Sequence, residues 1–487
     1  VSDGALDLRF PRWPGQAPRT RSLWIDEALA ADAAAELRSL EGEQRADVCI
    51  VGGGFTGLWT AVRLLERAPS LRVTIVEADL CGSGASGRNS GGTGHWWSKL
   101  PALIRLLGPE DAKKLLQASV QAVDDIHAYA AQHRIACELR HAPSVWSTTH
   151  PRQAGPWAAM FKAAYDLGLQ PPHRSLSAEE LRAMFGKGPY YSGIVEERAT
   201  RMQPARLARE LRRVALGLGA QVLERSPVRR ISSSAAGVSV EAGNGRIVAA
   251  QIVLAANAWM AHLPAFRSLV TVVSSDIVAT DPIPELLRQR GLAQRPAGVN
   301  SRLMLNYGGL TPDGRVYLGR GGGTIAYANR ITADFDRSAR QSAEVEADFR
   351  YLYPELSDVP IPHSWAGPID RAPTGLPWFG HLPEDPRVHY GIGYSGHGVG
   401  ASALGGRILA SQLLDADDEW ADLGACLRRA RRGHYPPEPL RSLAGHAIRR
   451  SVVRKEQAER QGREGGRVDR LLAGFANASL PDRQPSA

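Results

Sequence analysis

Three glycines and one acid carry the first recognisable chemistry in this 487-residue chain. Gly52, Gly54 and Gly57 stand in the run Val51-Gly52-Gly53-Gly54-Phe55-Thr56-Gly57, and Glu77 follows Gly57 by 20 positions. That spacing suits a pyrophosphate and a ribose. Gly52 permits a tight turn, Gly54 lets backbone N–H groups approach phosphate oxygens, and Gly57 lets a helix lie close on a strand. Glu77 accepts hydrogen bonds from ribose hydroxyls and argues against a 2′-phosphate, which an arginine would meet instead. Further on, residues 82–92 (GSGASGRNSGG) string successive backbone N–H groups together as an anion-binding nest. Ala255-Ala256-Asn257-Ala258-Trp259 is a turn of small residues at which backbone approaches a ligand. Residues 393–400 (GYSGHGVG) open a small-residue helix whose positive end suits negative charge.

These residues need elements to hold them. Residues 46–51 are apolar, helical spacing follows through Leu58, Val62 and Leu65, and a second apolar run spans 73–76. Strand, glycine turn, helix, strand and acid fall in register as a dinucleotide-binding βαβ unit. Before it, residues 1–45 read as a lead-in with a helix from about Ala28 to Leu40. After it come Trp96 and Trp97 as possible pocket walls, an amphipathic helix over 110–133, a strand over 144–148 and a capping box at Ser177 and Glu180. A helix over 204–218 and strands to residue 254 resume the nucleotide pattern. Strands over 270–279, 302–307 and 315–320 and a helix over 338–353 predict a second, largely antiparallel sheet. The expected fold class is α/β and α+β. A Rossmann-type domain spans 46–109, 200–265 and 363–415, a mainly antiparallel-sheet substrate domain spans 110–199 and 266–362, and a helical Arg-rich extension spans 416–487.

Composition narrows the class. The formal net charge is +9, yet the arginine clusters at 428–432 and 449–450 lack the interleaved aromatics of a nucleic-acid groove, so no nucleic acid is expected. No apolar run approaches the roughly 18 residues that span a membrane. The N-terminus, with Asp3, Asp7, Pro11 and Pro14, lacks a secretory pattern. Cys49, Cys81, Cys137 and Cys426 are dispersed without metal-ligand spacing, so reduced thiols, no metal and a cytoplasmic location are expected.

In combination, VGGGFTG with Glu77, GSGASGRNSGG, LAANAW and GYSGHGVG resemble the D-amino-acid oxidase and sarcosine oxidase (DAO) superfamily of FAD enzymes. GASGRNSGG and GYSGHGVG most resemble its γ-glutamylputrescine oxidase-like branch. The resemblance covers about residues 46–415 and implies noncovalent FAD in an extended conformation beneath a substrate-domain sheet. Carried over by position, Gly52, Gly54, Phe55, Thr56, Gly57, Glu77, Ala78, Gly84, Ala85, Ser86, Arg88, Asn89 and Gly91 would hold the ADP half and the start of the ring system. Val228 would meet adenine through its backbone, Ala256 and Trp259 would flank the cofactor, and Gly396, His397, Gly398 and Val399 would contact the isoalloxazine.

The implied reaction passes a hydride from the carbon bearing an amine or amino-acid nitrogen to the flavin. Water then hydrolyses the imine to a carbonyl product, and O2 or another acceptor reoxidises the flavin, with H2O2 as the product from O2. Tyr307, Arg320, Trp365 and His397 are the candidate pocket residues: Tyr307 and Trp365 as aromatic walls, Arg320 as the anchor of a substrate carboxylate. Two departures stand out. The segment 365–373 lacks the cysteine that holds flavin covalently in monomeric sarcosine oxidases, and their lysine over the flavin aligns approximately with Tyr317. Cys81 and His95 do not fit the attachment pattern.

The alternatives are a flavin monooxygenase, whose later GD-containing motif is missing, and a noncatalytic FAD-binding subunit docking through residues 428–470. For that Arg-rich stretch a helix packed on the body is the preferred reading. A homo-oligomer is compatible with the sequence.

Overall fold

Parallel strands buried on both faces read as near-continuous apolar runs, and Val73–Val76, with Thr74 its one polar residue, is buried at every position. It lies in a parallel array ordered Gln221–Leu223, Val73–Val76, Glu41–Val51, Asn244–Leu254 and Val388–Ile392. Trp378–His381 adds antiparallel to the last strand, and the hairpin Val228–Ser234 and Gly237–Ala242 adds to the start of Asn244–Leu254. This computed structural model describes residues 6–10, 20–32, 36–153 and 155–476. Asp3, Pro11 and Pro14 lie outside them.

The second sheet runs His363–Arg371, Thr271–Ala279, Val316–Arg320, Asn306–Leu310, Ala297–Asn300, Arg140–Thr148, Ser192–Arg201 and Gly92–Thr93. Its pairs are antiparallel except Ala297–Asn300 with Arg140–Thr148. The fold is thus a Rossmann-type sheet with a second, mainly antiparallel sheet. Their boundary differs from the sequence expectation at residue 363, because His363–Arg371 pairs along its whole length with Thr271–Ala279.

Helices Phe55–Arg67 and Gly398–Leu413 pack against each other over the first sheet, with Leu58, Trp59, Leu404 and Ile408 in one core. The helix Pro109–Gln132, assigned above to the substrate domain, buries Leu115, Leu116, Ile126 and Tyr129 in that same core. Its apolar stripe therefore faces the cofactor-side helices. Trp96 and Trp97 are core residues of the same cluster.

Three further expectations change. The N-terminal helix is Leu23–Ala31, begun where the Ser22 hydroxyl accepts from Ile25 N–H at 3.2 Å; residues 36–40 are irregular and 33–35 lie outside the described residues. Residues 302–305 form no strand, because the buried Glu456 carboxylate accepts from the N–H groups of Leu303 and Met304 and from the Arg302 guanidinium. Glu456 belongs to the helix Leu440–Arg460. In that helix Arg449 donates to the Gly322 carbonyl and to Glu344, so this part of the Arg-rich extension is folded onto the body. The Ser177–Glu180 capping box is present with both of its bonds.

Candidate active site

A cavity of about 1160 Å³ is lined by both sheets. A single small ligand fills roughly 300–1000 Å³, so this space suits a long ligand or two ligands together.

The opening βαβ unit builds one end. Gly52 turns the chain at φ +114°, and a Cβ there would stand 2.7 Å from the Ala255 carbonyl oxygen. A Cβ on Gly57 would stand 2.0 Å from the Gly52 carbonyl oxygen, so helix and strand touch only because position 57 lacks a side chain. Gly57 packs behind the cavity wall, whereas Gly52, Gly54, Phe55 and Thr56 line it. The helix starts at Gly54, which has no side chain to cap it, and its positive end faces the cavity with Ser86 Oγ on its first N–H. Glu77 and Ala78 line the same end. The Glu77 carboxylate accepts from the N–H groups of Gly53 and Asp79 at 2.7 and 2.9 Å, and burial pushes the carboxyl up to about 7.

Gly84, Ala85, Ser86, Arg88 and Asn89 continue the wall. Ser86 Oγ accepts from Phe55 N–H at 2.8 Å. The buried Arg88 guanidinium donates to the carbonyls of Ser83, Ala366 and Thr20 at 2.8, 2.9 and 2.7 Å, and the Asn89 amide donates to those of Ala85 and Ser86. Both side chains therefore brace the loop while lining the cavity. Trp24 Nε1 reaches the Asn89 carbonyl at 3.0 Å and Ser22 Oγ the Gly87 carbonyl at 2.6 Å, which gives the N-terminal helix a task that its sequence did not reveal. Gly91 sits outside the wall, where a Cβ would stand 1.9 Å from the Met202 carbonyl oxygen. Val228, Ala256 and Trp259 line the cavity beyond it.

The far end is the start of Gly398–Leu413, lined by Gly396, His397, Gly398 and Val399. The Tyr394 hydroxyl lies 2.6 Å from Thr56 Oγ1 and joins the two helix starts. The surrounding protein atoms, with the buried Lys99 ammonium second, push the His397 imidazole below its usual range, although its side chain is open to the cavity. Lys99 is itself pushed down to about 8 by burial. Several non-glycine residues with left-handed backbone line this cavity: Asn257, Ala328, Asn329 and Ser395, with φ between 49° and 57°. Strain of that kind gathers where a ligand must be met.

The second sheet forms the roof. Tyr307 lies flat across Gly319, where a Cβ would come within 2.2 Å of its ring. Its hydroxyl is 2.6 Å from Ser275 Oγ, and Ser275 donates to the Arg320 carbonyl at 3.1 Å. The Tyr307 hydroxyl is thus engaged by Ser275, and both residues line the cavity. Arg320 and Trp365 do not line the cavity. The Arg320 guanidinium pairs with Glu344 at 3.0 Å and lies 3.6 Å from Asp348. Trp365 is buried edge-on to Trp24, with ring centroids 5.2 Å apart. Tyr317 is also buried and donates to the Ser90 carbonyl. Neither Cys81 nor His95 reaches the cavity wall. Sequence reasoning missed Ser275, Glu196, Arg201 and Asp370, all in the lining, because no motif surrounds them.

The lining fits FAD. One helix start and the close backbone at Gly52 suit a pyrophosphate, Glu77 suits a ribose, and the second helix start suits an electron-rich ring edge.

The profile of the family described as DAO, FAD dependent oxidoreductase, matches residues 47–412. A probable oxidoreductase, OrdL, of Rhizobium meliloti is 30% identical over 392 residues, covering 78% of this chain and 86% of that protein. Gamma-glutamylputrescine oxidoreductase of Escherichia coli K12 is 27% identical over 419 residues, covering 84% and 92%. Among solved structures, glycine oxidase of Geobacillus kaustophilus superposes with a TM-score of 0.63 at 22% identity, covering 77% of this chain and 96% of that one.

Proposed function

The chain belongs to the DAO family of FAD-dependent oxidoreductases, and on that premise we propose that it oxidises a primary or secondary amine, free or within an amino acid, to an imine that water hydrolyses. The carrying observation is the continuous cavity that reaches from Glu77 to the start of Gly398–Leu413 beneath the second sheet. Noncovalent FAD is supported by the placement of the cysteines: all four are buried and none lines the cavity. Bound FAD supplies the acceptor for two electrons and the α-hydrogen.

The protein's own part is orientation and charge. The amine must be uncharged when it reacts, and the positive end of Gly398–Leu413, with Lys99 behind His397, disfavours an ammonium there. The Tyr307 ring offers the substrate an apolar wall. We propose O2 as the acceptor, giving H2O2, a reading that the similarity to a glycine oxidase supports. The free, buried thiols suit a reducing cytoplasm.

The test is an anaerobic titration of the FAD-loaded protein with amines and amino acids, followed in the visible flavin band. Bleaching by one of these classes without NAD(P)H supports the reading, and bleaching by NAD(P)H alone sinks it. Peroxide formed on readmitting air separates an oxidase from a dehydrogenase.

A further inference from the structure

We infer that Glu196 and Arg201 form a subsite for a zwitterionic amino-acid head group, Arg201 taking its carboxylate and Glu196 its ammonium. The inference rests on the amine-oxidation reading above and adds the class of substrate.

The two residues share the strand Ser192–Arg201, five positions apart. In a regular strand an odd separation sends side chains to opposite faces. Here the ladder with Arg140–Thr148 shifts register between Ala142, opposite Ala199, and Ser144, opposite Glu196. One extra residue on the Ser192–Arg201 side is a bulge, and it restores both charges to the cavity face.

Each charge is held but not neutralised by the other. Arg201 Nη2 donates to Ser144 Oγ at 3.1 Å, and its Nε is buried with no hydrogen-bond partner. Its Nη1 lies 2.6 Å from where a Cβ on Gly92 would stand, so glycine at 92 makes room for the guanidinium. Among the described residues, the groups within ion-pair distance of Glu196 are two imidazoles, His95 at 3.4 Å and His173 at 3.9 Å. Burial lowers both below the usual histidine range, and His173 falls to about 4. Imidazoles lowered in this way offer the carboxylate little positive charge, and burial pushes it up to about 7 although Arg201 acts the other way. A guanidinium and a carboxylate facing one space, without a direct pair between them, match a ligand that carries the opposite charges a few bonds apart.

That head group has two possible sources: a free amino acid, oxidised at this nitrogen once the ammonium has passed a proton to the Glu196 carboxylate, or an amine tethered to an amino-acyl group and oxidised at its far end. Ornithine, 1,4-diaminobutane, 5-aminopentanoate and γ-glutamyl-1,4-diaminobutane separate them. Diaminobutane lacks the carboxylate, and aminopentanoate lacks the α-ammonium. With the FAD-loaded protein, Kd is read from the perturbation of the flavin spectrum, and KM and kcat from turnover. Ligands with both charges should bind most tightly. Arg201→Met should weaken the carboxylate ligands about 10- to 100-fold, chiefly in KM, leave diaminobutane unaffected and keep the FAD affinity. Arg201→Lys should restore part of the loss and control for misfolding. Glu196→Gln should weaken the ligands with an α-ammonium and spare aminopentanoate. A 2-oxo acid with ammonia identifies the first source, an aldehyde the second.

The subsite is overturned if Arg201→Met shifts FAD affinity or the flavin spectrum with ligand Kd unchanged, or if both variants weaken all four ligands equally. If no ligand bleaches the wild-type flavin while Kd retains its dependence on Arg201, the oxidation reading falls and the subsite stands.

Discussion

The indole N–H of Trp365 donates to the carbonyl of Arg88 at 2.9 Å, so a strand of the second sheet is tied directly to the glycine-rich wall of the cofactor-side cavity. Arg88 returns the link through its own donation to the Ala366 carbonyl at 2.9 Å. The two domains are thus fastened at the cavity itself. Trp365→Phe removes the donor and leaves a buried carbonyl short of a partner, at a cost of about 1–3 kcal/mol. Urea unfolding of the FAD-free protein measures it, and FAD affinity should fall with substrate KM little changed in the fully loaded enzyme.

Gly57→Ala puts a methyl group 2.0 Å from a backbone oxygen that cannot swing away. The helix must lift off the strand, with an overpacking cost of at least ~1–3 kcal/mol. Purified variant should carry little flavin, read as the ratio of visible to ultraviolet absorbance. A variant with wild-type flavin content contradicts the role given to this contact.

Glu77 supplies a pH dependence. Its carboxyl titrates near 7 in the folded, cofactor-free protein because it is buried, and near 4.3 in an unfolded chain. A folded value above the unfolded one means that the folded state holds the extra proton. The associated stability is present at pH 4 and is lost as pH rises through about 7, by roughly 3 kcal/mol. Other buried carboxyls, Asp276 and Asp370 among them, shift in the same direction, so the test is the difference between wild type and Glu77→Gln. That difference in unfolding free energy should change between pH 4 and 8. A flat difference rejects the assignment.

Gly319 and Tyr307 separate a wall from a hydrogen bond. Gly319→Ala would drive a methyl group into the Tyr307 ring and displace it from the roof, costing ~1–3 kcal/mol of packing and raising KM for an amine substrate. Tyr307→Phe keeps the ring and loses only a hydroxyl already turned toward Ser275, so its KM should stay within a few-fold of wild type. Steady-state kinetics on both variants checks the order; equal effects would mean that the hydroxyl faces the ligand.

The cofactor half was legible because its chemistry is local. Gly52, Gly54, Gly57 and Glu77 lie within one βαβ unit, where backbone geometry sets both the spacing and the residue types. GASGRNSGG and GYSGHGVG are readable as irregular turns for the same reason, and most of their residues line the cavity. What escaped was which side chains face it. Arg88 and Asn89 line it, yet the hydrogen bonds of both side chains go to protein carbonyls, those of Arg88 to Ala366 and Thr20 far away in sequence.

The substrate end depended on pairings distant in sequence. Arg320 looked available because nothing nearby announced Glu344 and Asp348 as its partners. Trp365 looked like a pocket wall because its partner, the Arg88 carbonyl, is 277 residues away. The sequence alone therefore determined the nucleotide-binding unit, whose physics is a glycine turn, a helix end and an acid in short order. Tertiary structure alone decided the roof, because strand register is set by long-range pairing. A one-residue bulge, invisible to alternation, turns Glu196 and Arg201 to the same face.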